Sequence, residues 1–167
     1  MEVYLLRHAI AVDRGTPEYE GRDDERPLTD EGIKKTKDAA RGLKRSGLVF
    51  DRIWTSPILR ARHTAEIVAK KLGLKKVMEQ TNDLGDGFSC DAVVALLQRA
   101  GADEKVLLVG HEPDFSVLAG HLLNGRGGMN INFKKGGMIR LDFEGDVTPG
   151  AATLVYMLEP KHLKNLK

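Results

Sequence analysis

The chain has 167 residues, of which 41% are hydrophobic and 30% charged, and these values fit one globular domain over residues 1–167. Its formal net charge of +2 gives no global reason to expect nucleic acid or an acidic membrane surface as a partner. Its one cysteine, Cys90, excludes an intramolecular disulfide, and no apolar run approaches the roughly 20 residues of a membrane helix. We therefore expect a cytoplasmic protein that binds neither nucleic acid nor membrane.

The first predicted element is a buried strand over residues 3–6, which ends at Arg7-His8. The segment 13–27 that follows has no apolar periodicity and contains six carboxylates and three arginines. A structureless segment of this length is uncommon in a compact domain and is usually either functional or disordered. We therefore predict a long loop here, beside whatever site the first strand carries.

Helices and strands alternate after this loop. Thr29 is predicted to cap a helix that stops near Gly47. Ser56 and Pro57 predict the start of a second helix, with Ser as the N-cap and Pro at the first helical position, and Gly73 predicts its end. Two further helices are predicted over 91–99 and 113–123, and further strands over 52–55, 76–78, 106–109, 138–143 and 153–158.

This alternation predicts an α/β fold, a three-layer α/β/α sandwich with a mainly parallel central sheet. In such a sheet the strands' carboxyl ends and the following helices' amino ends lie at one edge, where ligands usually bind. Arg7 and His8 follow the first strand, Arg60 lies in the first turn of the second helix, and His111 follows the strand over 106–109. The topology therefore predicts that these four side chains lie at one edge of the sheet.

The residue types at this edge suit a phosphoryl group. A histidine at a strand end can have one ring nitrogen held by a backbone carbonyl, which leaves the other nitrogen free as a nucleophile or base. Guanidinium groups match phosphate oxygens bidentately, and helix N-termini add exposed N–H groups. Each of Arg7, His8, Arg60 and His111 alone is as well explained as an ordinary turn or surface residue. Together they predict an anion pocket.

Other reactive residues carry weaker signals. His8 and His111 lack the spacing of a metal motif, and neither a P-loop nor a dinucleotide fingerprint follows the first strand, so we predict no metal and no cofactor. His121 is expected to pack among leucines. Lys134 and Lys135 could touch a phosphate or a substrate protein, although a solvated turn is the simpler interpretation.

Four segments, in this order along the chain, resemble motifs of the histidine phosphatase superfamily. They are Leu6-Arg7-His8-Ala9, Arg26-Pro27-Leu28-Thr29-Asp30-Glu31-Gly32, Thr55-Ser56-Pro57-Ile58-Leu59-Arg60-Ala61 and Leu108-Val109-Gly110-His111-Glu112-Pro113. The short chain and the segment Phe133-Lys134-Lys135-Gly136-Gly137 further resemble the SixA-type phosphohistidine phosphatases. The resemblance implies a phosphoglycerate mutase-like fold.

The resemblance also implies roles for the site residues. His8 would be the nucleophile that forms a phosphohistidine intermediate, with Arg7 and Arg60 holding the phosphoryl oxygens. His111 would form a hydrogen bond to the transferring group, and Arg26 would be a weaker binding residue. These roles are physically reasonable, because fixed guanidinium groups can compensate the charge of the equatorial oxygens without a metal.

Two features depart from the family pattern. Ala9 stands where the family usually has Gly, and its methyl group would narrow the approach of the backbone to the phosphate. No motif singles out a carboxylic acid that could protonate an ester leaving group. Glu79, Asp83 and Asp86 lie in the relevant stretch, and we expect them to be ordinary loop carboxylates.

The missing acid bears on the substrate. An alkoxide leaving group needs a general acid, which typically contributes about 10²- to 10⁴-fold in rate, whereas protonated phosphohistidine already carries a good leaving group. The favoured hypothesis is a metal-independent phosphatase that hydrolyses phosphohistidine on a phosphocarrier or phosphorelay protein in signal transduction. The alternatives are a small-molecule phosphomonoesterase or mutase of the same superfamily and a non-catalytic phosphate-binding module.

Overall fold

The computed structural model describes residues 1–16 and 19–167, so residues 17 and 18 of the predicted loop lie outside the described part. The strands are β1 (Glu2–Arg7), β2 (Arg52–Thr55), β3 (Met78–Gln80), β4 (Lys105–Gly110), β5 (Met138–Asp142) and β6 (Thr153–Leu158). The α-helices are α1 (Asp30–Arg45), α2 (Leu59–Leu72), α3 (Cys90–Leu97), α4 (Asp114–Asn124) and α5 (Pro160–Leu163). Short 3₁₀ helices cover Asp23–Glu25, Lys75–Val77 and Asn82–Leu84.

The six strands form one sheet in the order β3-β2-β4-β1-β5-β6. The first four of these strands are mutually parallel, and β5 runs antiparallel to both β1 and β6. The apolar runs of β1 and β4 pair directly at the centre, with Leu5 beside Leu108 and Arg7 beside Gly110. The mainly parallel sheet predicted from the sequence is thereby confirmed.

Helices cover both faces of the sheet. Tyr4, Leu6 and Val109 belong to the apolar cluster that includes residues of α1, α2 and α5. Val3 and Leu5 belong to the cluster that includes residues of α3 and α4. Because successive strand residues point to opposite faces, a strand buried on both faces must be apolar at every position, as these runs are. The three-layer sandwich is therefore confirmed.

The helix starts follow the sequence only in part. Thr29 caps α1 as predicted, since its hydroxyl accepts a hydrogen bond from the Gly32 N–H at 3.0 Å. The predicted start of α2 at Ser56 is wrong, because the N-cap is Ile58 and the helix begins at Leu59. The Ser56 N–H instead donates to the Val109 carbonyl at 3.0 Å, so the chain runs on beside β4 before it turns.

The third strand is also displaced from its prediction. Residues 75–77 form a 3₁₀ turn, and β3 begins at Met78, where pairing with Ile53 begins. The longest described helix is α1, with 16 residues. None of the described helices has the length and apolar character needed to cross a membrane.

Candidate active site

The structure brings the two predicted site histidines together at the carboxyl edge of the sheet. Arg7 is the last residue of β1, and the His8 N–H donates to the Gly110 carbonyl of the neighbouring strand β4 at 2.9 Å. His111 follows β4, so the imidazole rings of His8 and His111 lie with their centroids 5.2 Å apart. Pairing of adjacent parallel strands is thus what joins two residues that are distant in sequence.

His8 is buried, with 6% of its surface exposed. Its Nδ1 lies 2.7 Å from the Ala9 carbonyl oxygen, and since only a protonated nitrogen can donate to a carbonyl, the proton is on Nδ1 and the lone pair on Nε2. Burial, together with the positive charges of Arg60 and Arg7, lowers the pKa of His8 to about 3. The imidazole is therefore neutral at pH 7, as a nucleophile must be.

His111 is equally buried, and the side chain of Ser56, the residue after β2, contacts its ring. Its Nε2 lies 2.8 Å from the Ser56 hydroxyl. Burial and the charge of Arg60 lower the pKa of His111 to about 4, so this ring is also neutral at pH 7. When Ser56 donates to Nε2, the His111 proton lies on Nδ1, which then becomes a hydrogen-bond donor.

The two predicted arginines are anchored by backbone carbonyls. Arg7 Nη1 donates to the Phe133 carbonyl at 2.5 Å, and Arg60 Nη1 donates to the Asp23 carbonyl at 2.9 Å. Burial lowers the pKa of both guanidinium groups, yet both stay cationic at neutral pH. Each arginine therefore brings a fixed positive charge to His8, whose own pKa both of them lower.

Three residues that act electrostatically on His8 each have a buried side-chain nitrogen without a hydrogen-bond partner among the described residues. In the part of the chain that the structure describes, four buried side-chain nitrogens make no hydrogen bond, and three of them are Arg7 Nε, Arg60 Nε and His111 Nδ1. A buried donor without a partner costs about 1–3 kcal/mol, so folded proteins rarely retain several in one place without a use for them. An oxyanion beside His8 is the kind of ligand that would satisfy such donors.

Arg26 joins this cluster through a carboxylate rather than directly. Arg26 Nε donates to Asp23 Oδ1 at 2.6 Å, and Arg14 Nε lies at the same distance from that oxygen. Burial alone would raise the pKa of Asp23, but the hydrogen bonds from Arg14 and Arg26 and the charge of Arg60 bring it below its usual value. Asp23 is therefore ionised at neutral pH and partly neutralises the arginines.

A family model describing the histidine phosphatase superfamily (branch 1) matches residues 3–86. The chain belongs to the histidine phosphatase superfamily. An uncharacterized protein of Picosynechococcus sp. is 44% identical to it over 144 residues, which are 84% of each chain. The superfamily expected from the four motifs is thereby confirmed.

SixA-type relatives match this chain from end to end. Phosphohistidine phosphatase SixA of Escherichia coli is 28% identical over 171 residues, covering 100% of this chain and 99% of its own. A solved structure of the protein histidine phosphatase SixA, complexed with tungstate, has a TM-score of 0.82 at 26% identity and covers 98% of this chain and 99% of its own. These matches confirm the SixA-type resemblance and the phosphoglycerate mutase-like fold, and they support phosphatase activity.

Two residues of this histidine phosphatase site were missed by sequence reasoning. Asp23 is one of six carboxylates in the loop, and its only local signal is the three-residue spacing to Arg26. Ser56 was interpreted as a helix cap, and its hydroxyl does accept from the Ile58 N–H at 3.2 Å. Its contact with His111 joins residues 55 positions apart, which no local pattern shows.

The substitution at Ala9 is accommodated by packing. Its methyl group lies in a small apolar cluster with Ala11 and Leu28, against which Ile33 and Ile67 also pack. Ala9 is 3% exposed. The residue after the histidine thus contributes to the packing of the loop onto α1 and α2.

The sequence offers three carboxylates as general acids: Glu79 lies on β3, and Asp83 and Asp86 lie in the segment after it, where Gly85 packs against Ser56 and Pro57. Glu79 and Asp86 are exposed, and Asp83 accepts a hydrogen bond from the Thr81 hydroxyl at 3.0 Å. The carboxylate whose charge acts on His111 is instead Asp23. Across residues 1–16 and 19–167, no three His, Cys, Asp or Glu side chains are grouped so that they could hold a metal ion.

Proposed function

We propose that this protein hydrolyses phosphohistidine on another protein, through a covalent phosphohistidine intermediate on His8. The observation that carries the proposal is the set of three buried, unpartnered donors, Arg7 Nε, Arg60 Nε and His111 Nδ1, around a neutral His8. The end-to-end similarity to a phosphohistidine phosphatase supports it. The tungstate bound by a SixA structure shows that a related protein accepts a tetrahedral oxyanion.

In the first step, the lone pair of His8 Nε2 attacks the phosphorus of the substrate's phosphohistidine. The new N–P bond forms as the substrate's N–P bond breaks, and the electron pair of that bond returns to the substrate nitrogen. A substrate ring that carries a proton on its other nitrogen leaves as neutral imidazole. The Ala9 carbonyl favours this attack because it keeps the His8 proton on Nδ1 and the lone pair on Nε2.

In the second step, water attacks the phosphorus of phosphorylated His8. The O–P bond forms, the N–P bond breaks, and His8 is released with its proton still on Nδ1. The water proton goes to phosphate or solvent. Because His8 leaves as neutral imidazole, this step, like the first, needs no proton from an acidic side chain.

The remaining site residues stabilise charge on the phosphoryl group. Phosphoryl transfer depends mostly on in-line positioning and on compensation of charge on the equatorial oxygens. Arg7 and Arg60 supply fixed positive charges, and His111 supplies a neutral donor. Their burial strengthens these interactions, because electrostatic attraction weakens less where water is excluded.

The electrostatics of the site favour phosphohistidine over a phosphate ester. An ester needs a proton on its leaving oxygen. Asp23 contacts Arg14, Arg26 and Arg60, and its lowered pKa makes it a poor proton donor at neutral pH. A phosphohistidine substrate removes this need.

The test is hydrolysis of a phosphohistidine-carrying phosphotransfer domain beside a panel of small phosphate esters. We expect wild-type protein to release phosphate from the domain faster than from the esters and to give an acid-labile phosphoenzyme on rapid quenching. His8→Ala is expected to lose about 10³-fold or more in rate. His63→Ala on α2 is the matched control and is expected to keep the wild-type rate.

Three results would contradict this proposal. Full hydrolysis by His8→Ala would exclude the covalent step, and faster turnover of esters would exclude the substrate class. Tight phosphate binding with no turnover of any substrate would indicate the phosphate-binding module.

A further inference from the structure

An open basic groove adjoins the candidate active site. It has a volume of about 920 Å³ and is lined by Arg7, by residues of α1 and of the segment 159–164, and by Asn132, Lys134 and Lys135. Besides Arg7, its cationic lining consists of Lys34, Lys35, Lys134, Lys135, Lys161 and Lys164. We refer to it as the lysine groove.

Most of this positive charge is not neutralised locally. Lys35 pairs with Glu31 at 2.6 Å and Lys161 with Glu159 at 3.2 Å. The other four lysines form no salt bridge with any residue that the structure describes. Seven cations and three carboxylates line the groove, whereas the whole chain carries only +2, so the rest of the protein is net negative. The lysine groove is thus a net positive surface.

The lysine groove is fixed to the site by main-chain contacts. Arg7 Nη1 donates to the Phe133 carbonyl, and the Gly136 N–H lies 3.1 Å from the Arg7 carbonyl and 3.0 Å from that of His8. The segment that carries Lys134 and Lys135 is therefore held against the carboxyl end of β1. Arg7 lines the groove and also belongs to the candidate active site, so the two are contiguous.

The shape and lining of the groove indicate an extended acidic ligand. None of its described lining residues is aromatic, so it offers no stacking surface for a nucleobase. Its volume is far larger than a phosphate needs, and it is open along its length. Spaced lysines on an open surface suit spaced carboxylates, which they attract and orient.

We propose that the lysine groove docks an acidic segment of the substrate protein, next to the phosphohistidine. The proposal rests on the proposed function for its protein substrate. The lysines outside the phosphoryl pocket then determine which substrate proteins bind. Partners with aspartate and glutamate beside the modified histidine are selected over neutral or basic ones.

The test uses synthetic peptides that differ only in the residues flanking one phosphohistidine. One peptide carries six flanking glutamates and the other carries six glutamines. Each is made with phosphohistidine to measure hydrolysis and with a non-hydrolysable phosphohistidine analogue to measure binding by fluorescence anisotropy. We expect wild-type protein to bind the glutamate peptide about tenfold more tightly at low salt, with the difference lost at high salt.

The groove variant is the double substitution Lys34→Glu and Lys164→Glu, on α1 and just after α5. It is expected to remove the tenfold preference, through a higher Kd and KM for the glutamate peptide and an unchanged kcat. The matched control, Lys70→Glu with Lys71→Glu on α2, makes the same charge change away from the groove. The control should keep the preference.

The outcomes separate this proposal from the proposed function. Equal binding of both peptides by wild-type protein, or a preference that survives in the groove variant, would overturn the docking site even if both peptides are hydrolysed. Binding of inorganic pyrophosphate that is tighter than that of the glutamate peptide and is lost in the groove variant would also overturn it, in favour of a small-molecule anion. A groove-dependent preference without hydrolysis would overturn the proposed function and leave the docking site standing.

Discussion

Arg60 Nη1 donates to the main-chain carbonyl of Asp23 at 2.9 Å, and Arg60 Nη2 lies 3.5 Å from the carboxylate of the same residue. The arginine that we assign to the phosphoryl group is therefore shared with a loop carboxylate. Like charges repel, so this carboxylate weakens the attraction of the site for a phosphate dianion. It also ties the long loop to α2.

Replacing Asp23 with Asn is expected to strengthen phosphate binding. The asparagine side chain has the same size but no negative charge, and the main-chain carbonyl of residue 23 still accepts the hydrogen bond from Arg60. The inhibition constant of inorganic phosphate should fall about 3- to 10-fold, which corresponds to about 0.7–1.4 kcal/mol. Asp24→Asn is the matched control, because Asp24 pairs with the exposed Arg22 instead. Weaker phosphate binding by Asp23→Asn would show that the carboxylate mainly orients the arginines.

Ser56 is expected to act on catalysis through His111. Ser56→Ala removes the hydroxyl that lies 2.8 Å from His111 Nε2, so the ring loses the contact that fixes its orientation and its tautomer. We expect kcat to fall about tenfold, the scale at which outer residues act when they orient a functional histidine. Thr55→Val is the control, since the Thr55 hydroxyl donates to the Ser56 carbonyl at 3.2 Å and, among the described residues, to no side chain of the site. An unchanged kcat in Ser56→Ala would exclude the positioning role.

The buried histidines are expected to make the protein less stable in acid. Burial lowers the pKa of His8 to about 3 and that of His111 to about 4, from an ordinary value of 6.5. Between those values the unfolded chain binds more protons than the folded protein, so the free energy of unfolding falls as the pH drops below 6.5. Above pH 6.5 their contribution is fully present.

Thermal unfolding in phosphate-free buffers at pH 7 and pH 5 measures this effect. The midpoint of wild-type protein should fall over this interval, and the fall should be smaller in His8→Gln, which cannot take up the proton. An equal fall in both proteins would mean that His8 does not carry the acid sensitivity.

Local patterns predicted the parts of this molecule that depend on neighbouring residues. The alternation of strands and helices predicted the sandwich, and the rule for parallel sheets placed His8 and His111 at one edge. Thr29 caps its helix as expected, because capping involves only the first turn. The prediction that a backbone carbonyl holds one ring nitrogen of His8 is also local, because that carbonyl belongs to the next residue, Ala9.

Contacts between distant segments could not be predicted in this way. The role of Asp23 depends on the loop folding back onto Arg60, 37 residues away, and the three-residue spacing of Asp23 to Arg26 does not show that contact. The Ser56 hydroxyl accepts from the Ile58 N–H, but the chain follows β4 past the end of β2, so the same hydroxyl also reaches His111. In both cases the competing partner lies on another element.

Gly42 is expected to be essential for the packing of α1 against α5. A Cβ at this position would overlap the carbonyl oxygen of Leu163, far inside van der Waals contact. Alanine favours a helix over glycine by about 1 kcal/mol, so intrinsic propensity alone would make Gly42→Ala stabilising. The overlap is with backbone and cannot be relieved by a side-chain rotation, so we expect a net destabilisation of about 1–3 kcal/mol in urea unfolding. Gly145→Ala is the control, since a Cβ there meets nothing within 4 Å. A stabilised Gly42→Ala would mean that α5 can move away from α1 at little cost. The lysine groove, which residues of both helices line, would then have no fixed shape.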